Sequence, residues 1–166
     1  MTEAPMETRG SEIERRLKEL GHVLPQPAAP IANYVPAVAS GALLFISGQL
    51  PFGVDGKLAS AHVGKIGAGV SEADAVRAAA LSALNCLAQA QAALGDLGRI
   101  RRCVRLGGFI NSAGDFVGLA GVMNGASDLM ATALGPAGVH ARSTVGVAQL
   151  PFGACVEVEA IFEIAP

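Results

Sequence analysis

A chain of 166 residues with 14 acidic and 12 basic side chains carries a net charge of −2, and its sequence pI is about 5.9. No Lys/Arg run is long enough to grip a polyanion, which argues against nucleic acid as a partner. Hydrophobic residues make up 51% and charged residues 16%. That charge content is well below the roughly 25% of a typical soluble domain and points to surface buried in subunit contacts. No apolar stretch reaches the length of a bilayer span, so no membrane partner is expected. The first residues mix acids into an apolar-poor segment and do not read as a secretory signal. Cys86, Cys103 and Cys155 show no CxxC or CxxH spacing and read as buried free thiols in a reducing, cytoplasmic setting. His22, His62 and His140 lack ligand spacing, so neither a metal nor a cofactor is expected.

In chain order, residues 1–10 read as a loose tail. SEIERRLKEL (11–20) predicts a helix capped by Ser11, with Glu14 completing a capping box and Ile13, Leu17 and Leu20 on one face. Gly21 ends it. HVLPQPAAP (22–30) has three prolines in nine residues and must run extended, so residues 1–30 form a tail, a short bracing helix and a lead into a domain spanning 31–166. NYVPAVASGALLFISGQLP predicts a hairpin with strands near 33–39 and 42–48 joined at Ser40-Gly41. The continuous run LLFIS suits a strand covered on both faces. VDGK (54–57) is a turn, with loop to Gly69. Ser71 caps a long helix that buries Val76, Ala80, Ala83, Leu84, Leu87 and Leu94 and stops at Gly95. RIRRCVRLGGFIN predicts a strand, Asp115–Leu134 a second helix closed by Gly135-Pro136, and Arg142–Gln149 and Ala154–Ile164 the last two strands.

The order ββαβαββ after the first helix predicts an α+β sandwich with two helices on one face of a mixed sheet. In the last strand Val156, Val158, Ala160, Phe162 and Ile164 point toward the helices, while Cys155, Glu157, Glu159, Ile161 and Glu163 point away. Arg142, Thr144, Gly146 and Ala148 share a face of the preceding strand that mixes small and charged residues. The uncovered sheet face is either wet, as antiparallel sheets often are, or a subunit interface with a polar pocket at its rim.

HARSTVGVAQLP-x₄-VEVEAI (140–161) resembles the C-terminal signature of the Rid family, also called YjgF/YER057c/UK114. ISGQLP (46–51) resembles that family's SGQ-x-P strand end, and Tyr34 sits where its N-terminal tyrosine stands. The resemblance runs from about Ile31 to Ala165, and the VMNGASDLM helix with HARS resembles a longer-chain, RidA-like subgroup. It implies a chorismate-mutase-like fold assembled as a homotrimer, with sheets around a central barrel and sites in the clefts between subunits. Arg142 is then expected in such a cleft, reached from the uncovered face. The implied activity is hydrolysis of reactive enamines and imines to 2-oxo acids and ammonia. Arg142 would hold the substrate carboxylate in a bidentate fork, and Glu157 would orient water and shuttle a proton. Thr144 stands where active members often carry cysteine, in a position used through its backbone. Tyr34, Ser47, Asn124 and His140 match positions at or near the cleft.

Each assignment has a plainer counterpart. Arg142 could pair with Glu157 or Glu159 as a structural ion pair, His140 could be a loop histidine, Asn124 an interface amide and Tyr34 a core plug. The chain also departs from the family: ANYVP (32–36) replaces G-P-Y-S-Q, and Ser127 and Leu129 replace the aromatics that follow the helix asparagine. The function classes that compete are therefore an imine deaminase, a trimeric protein that binds small carboxylates without turnover, an endoribonuclease and, less favoured, a chorismate mutase.

Overall fold

Strict alternation along residues 156–164 dictates the layering, because one set of side chains is apolar and must be covered. In the computed structural model, which describes residues 8–27 and 33–166, that cover is a pair of helices. The elements are α1 (Arg9–Glu19), β1 (Ala37–Ser40), β2 (Leu43–Gln49), α2 (Glu72–Leu94), β3 (Ile100–Asn111), α3 (Leu119–Leu134), β4 (Ala141–Val147) and β5 (Val156–Ile164). The strands form one sheet in the order β1-β2-β5-β3-β4, antiparallel except for the β3–β4 pair. The expected α+β sandwich is therefore present, and no helix among the described residues is long and apolar enough to cross a membrane.

The helix-facing side of β5 is sealed: Val156, Val158 and Phe162 have no exposed surface. A fully buried phenylalanine contributes about 1.5–3 kcal/mol relative to exposure. Ser71 caps α2 by accepting from the Asp74 amide, and Gly95 ends it in the left-handed region at φ 77°, which favours glycine. Ala83, Leu84 and Leu87 are buried as the periodicity predicts, whereas Val76, Ala80 and Leu94 are half-buried. Ala75, Ala78, Ala79, Cys86 and Ala90 are buried as well, because α2 packs against both the sheet and α3.

Several boundaries differ from the sequence reading, each for a local reason. Thr8, not Ser11, caps α1; its hydroxyl accepts from the Ser11 amide, so the helix starts at Arg9 and Leu20 lies past its end, exposed. Ile13 and Leu17 do join the main core. β1 begins at Ala37 because Pro36 has no N–H to give a ladder. α3 begins at Leu119, after Gly118, with no side-chain cap. A turn at Pro151–Gly153 separates β4 from β5, and Cys155 lies before the strand, buried, donating its amide to the His62 carbonyl. The LLFIS strand is covered on one face within the chain: Leu44 and Ile46 are buried, and Phe45 is exposed. Parts of the expected tail and Pro-rich lead, residues 1–7 and 28–32, lie outside the described residues.

Candidate functional site

The register of β4 decides where its arginine points. Parallel pairing sets Arg142 beside Leu106 and Thr144 beside Gly108, and Leu106 and Gly108 both face the helices. Arg142 therefore lies on the helix side of an edge strand, not on the uncovered face expected from the sequence. Its guanidinium reaches α3, where Ala120, Asn124 and Ser127 fall on one helical face. Nη1 donates to Asn124 Oδ1 and to Ser127 Oγ, both at 3.0 Å, and Nη2 donates to the Ala120 carbonyl at 3.0 Å. All three acceptors are neutral. Among the described residues Arg142 forms no ion pair; Glu159 instead pairs with Arg105 at 3.0 Å. The structural pair with Glu157 or Glu159 does not form within the chain.

His140 extends this cluster. Its Nδ1 lies 2.6 Å from the Gly138 carbonyl, which can only accept, so Nδ1 carries the proton. Nε2, 3.0 Å from Ser127 Oγ, then accepts from that hydroxyl in the neutral ring. A chain of bonds thus runs from Gly138 through His140 and Ser127 to Arg142. Thr144, two residues along, has a buried hydroxyl with no partner among the described residues. An unsatisfied buried polar atom costs about 1–3 kcal/mol.

The other candidates gather elsewhere. Glu157 points to the uncovered face and toward the end of the sheet. It lines a cleft of about 370 Å³ with Tyr34, Gly48, Phe52 and Phe152. Burial, reinforced by the neighbouring charge of Glu159, holds its carboxyl above the ordinary glutamate range. Two glycines make room for these acids. A Cβ on Gly48 would overlap the Glu157 carboxylate, and one on Gly107 would overlap Glu159. Ser47 donates its hydroxyl to the Val35 carbonyl at 2.9 Å, and its amide donates to the Pro36 carbonyl at 2.9 Å. Ser47 thus pins the segment that carries Tyr34 against β2.

Arg142, Asn124, Ser127, His140 and Thr144 form one group, and Glu157, Tyr34 and Ser47 another. From the register, Arg142 and Glu157 are two strands and three residues apart, a Cα separation of roughly 14 Å, with side chains on opposite faces. One small substrate cannot touch both within one chain. Sequence reasoning missed the aromatic walls of the cleft, although QLPFG occurs twice, at 49–53 and 149–153, and both copies end there. It treated Ser127 as a departure, although its spacing from Asn124 signals a shared face. The Ala120 carbonyl carries no side-chain signal at all. Among the described residues no group of three or more His, Cys, Asp or Glu is placed to hold a metal ion.

A helix pair on one face of this mixed sheet defines the chorismate-mutase-like class of α+β protein. The family described as "YjgF/chorismate_mutase-like, putative endoribonuclease" matches residues 14–163. Protein TCP17 of Trypanosoma cruzi is 46% identical over 153 residues, covering 92% of this chain and 94% of that protein. The crystal structure of Atu1372 from Agrobacterium tumefaciens, a protein of unknown function, superposes with a TM-score of 0.88 at 52% identity, covering 95% of each chain. E. coli TdcF with bound serine superposes with a TM-score of 0.61 at 26% identity, covering 87% of this chain and 97% of that one. The chain belongs to the YjgF/chorismate-mutase-like family.

Proposed function

We propose that this protein hydrolyses reactive 2-imino acids and their enamine tautomers to 2-oxo acids and ammonia, in clefts completed by a neighbouring subunit of a homotrimer. One observation carries the reading: the Arg142 guanidinium is held in place by neutral acceptors, which leaves its charge uncompensated for a substrate carboxylate. Carboxylate recognition by a planar guanidinium is bidentate and charge-assisted. The separation of Arg142 from Glu157 supports assembly, since a second chain can bring its Glu157 cleft to the exposed edge of β4.

In the proposed reaction, water adds to C2 of the bound iminium and Glu157 accepts the water proton. Burial, with the neighbouring Glu159 charge, raises its pKa and so makes the carboxylate a stronger base for that exchange. The proton passes to the nitrogen of the tetrahedral adduct. The C–N bond then breaks, ammonia leaves with the electron pair, and the hydroxyl proton returns through Glu157 to solvent. The carbon is already electrophilic, so positioning supplies most of the effect.

A second reading, carboxylate binding without turnover, draws on the serine bound to TdcF, an intact amino acid. Ribonuclease chemistry, which the family description carries, is disfavoured by the net charge of −2 and the pI of about 5.9, since phosphate-backbone binding rests on an excess of cations. The test is ammonia and 2-oxo acid release from an enzymatically generated imine, alongside light scattering at micromolar concentration. Turnover above the uncatalysed rate from a particle of about three chains supports the proposal. Binding without turnover selects the second reading, and a stable monomer retires the composite cleft.

A further inference from the structure

The walls of the Glu157 cleft are built to hold an apolar group. Phe52 and Phe152 meet edge to face, with ring centroids 6.3 Å apart and an interplanar angle of 67°. Phe152 sits in the left-handed region at φ 56°, where a bulky side chain is strained, yet 63% of its surface is exposed. Neither feature helps a core. The turns carrying the two rings are nonetheless fixed. The Phe52 carbonyl accepts from Asn85 Nδ2 at 2.9 Å, and the Gly153 carbonyl accepts from the Gly64 amide at 2.8 Å. Leu50, Pro36 and Pro151 add further apolar lining. Gln49 and Gln89 also line the cleft, and the buried Gln49 amide is already bonded within the chain. Its Nε2 donates to the Ser47 and Gly48 carbonyls, and its oxygen accepts from Gln89.

We infer that the cleft selects 2-imino acids whose side chain is aromatic or branched aliphatic, rather than the methyl- and ethyl-bearing imines. The inference rests on the imine-hydrolase reading and specifies its substrate class. A dry cavity of about 150 Å³ already accommodates benzene. The space here, about 370 Å³ and so roughly two and a half times larger, seats such a ring with the C2 carbon beside Glu157. The chemistry that supplies the substrate follows from its side chain. β-Elimination from hydroxyamino acids yields small alkyl imines. Larger apolar imines arise when an α-amino acid loses two electrons and two protons at its Cα–N bond, for instance to a flavin oxidase with dioxygen as final acceptor.

The test compares imines made from phenylalanine, leucine and alanine by an amino-acid oxidase with catalase present, following loss of semicarbazide-trappable imine. The expected kcat/KM for the two larger imines exceeds that for the alanine-derived one by at least about 10-fold, the least that extra buried methylenes provide. Phe152→Ala, with its fold checked by melting, brings that ratio toward one. A parallel calorimetric ladder uses 2-oxo-3-phenylpropanoate, 2-oxo-4-methylpentanoate and 2-oxopropanoate on the unsubstituted protein. Equal or reversed order in both ladders overturns the inference, as does a ratio that a folded Phe152→Ala leaves unchanged. If no imine is turned over but the binding ladder keeps its order, the hydrolase reading fails and the apolar selectivity stands.

Discussion

Replacing Arg142 with alanine separates a binding role from a structural one, because the two costs differ in size and in observable. The guanidinium makes three hydrogen bonds, but Ala120 and Asn124 are exposed and can turn to water, while Ser127 keeps His140. With solvent donating to two of these acceptors in place of the guanidinium, the loss of stability is about 1–2 kcal/mol. For a chain of this length that lowers the melting temperature by about 2–8 °C. A carboxylate held by two charge-assisted bonds loses at least about 3 kcal/mol, or roughly 100-fold in Kd. Arg142→Lys should recover little, since a point-like ammonium cannot reproduce two parallel bonds. Calorimetric titration with a 2-oxo acid beside thermal melting reads both quantities. A large drop in melting temperature, or a variant that binds 2-oxo acids as tightly as the parent, refutes the reasoning.

Glu157→Gln should leave 2-oxo acid binding largely intact and slow imine hydrolysis by at least about 10²-fold, a typical general-base contribution, as a single-turnover assay would report. Because the folded carboxyl titrates above its unfolded value, the parent protein loses stability as pH rises from the ordinary glutamate range through the raised one, and the Gln variant does not. Melting curves from pH 4 to pH 8 on both proteins check the sign; parallel curves would remove the perturbed carboxyl from the account. Gly48→Ala should displace the flexible Glu157 carboxylate rather than the backbone, so activity falls while the melting temperature changes by no more than about 4 °C. Unaltered turnover in that variant would mean that Glu157 does not act from the position it occupies.

Legibility in the sequence followed how locally each feature is determined. The inward and outward sets of β5 are fixed by a period of two and a single burial boundary, so they could be read directly. Ser71 and Gly95 bound α2 through their own backbone chemistry and were equally readable. α1 offered two hydroxyl residues three positions apart, Thr8 and Ser11, and nothing local chooses between them. The start of α3 has no capping side chain to announce it. The direction of Arg142 depends on the parallel register with β3, a contact between segments about 36 residues apart. Its alternation was visible, but which face each half of the alternation took was not. For the same reason Arg142, Asn124 and Glu157 could be nominated from sequence, while their division into two groups on opposite faces could not.

That division has a genetic consequence. If each cleft takes its arginine from one chain and its glutamate from the next, a chain without Arg142 and a chain without Glu157 carry complementary defects. In a randomly mixed cyclic trimer, about a quarter of the clefts would join an intact arginine to an intact glutamate. Two inactive proteins, unfolded and refolded together in equal amounts, would then regain up to about a quarter of the parental activity, whereas each refolded alone would regain none. Recessive lesions on the two faces of the sheet would thus rescue one another inside a single assembly, and lesions on the same face would not.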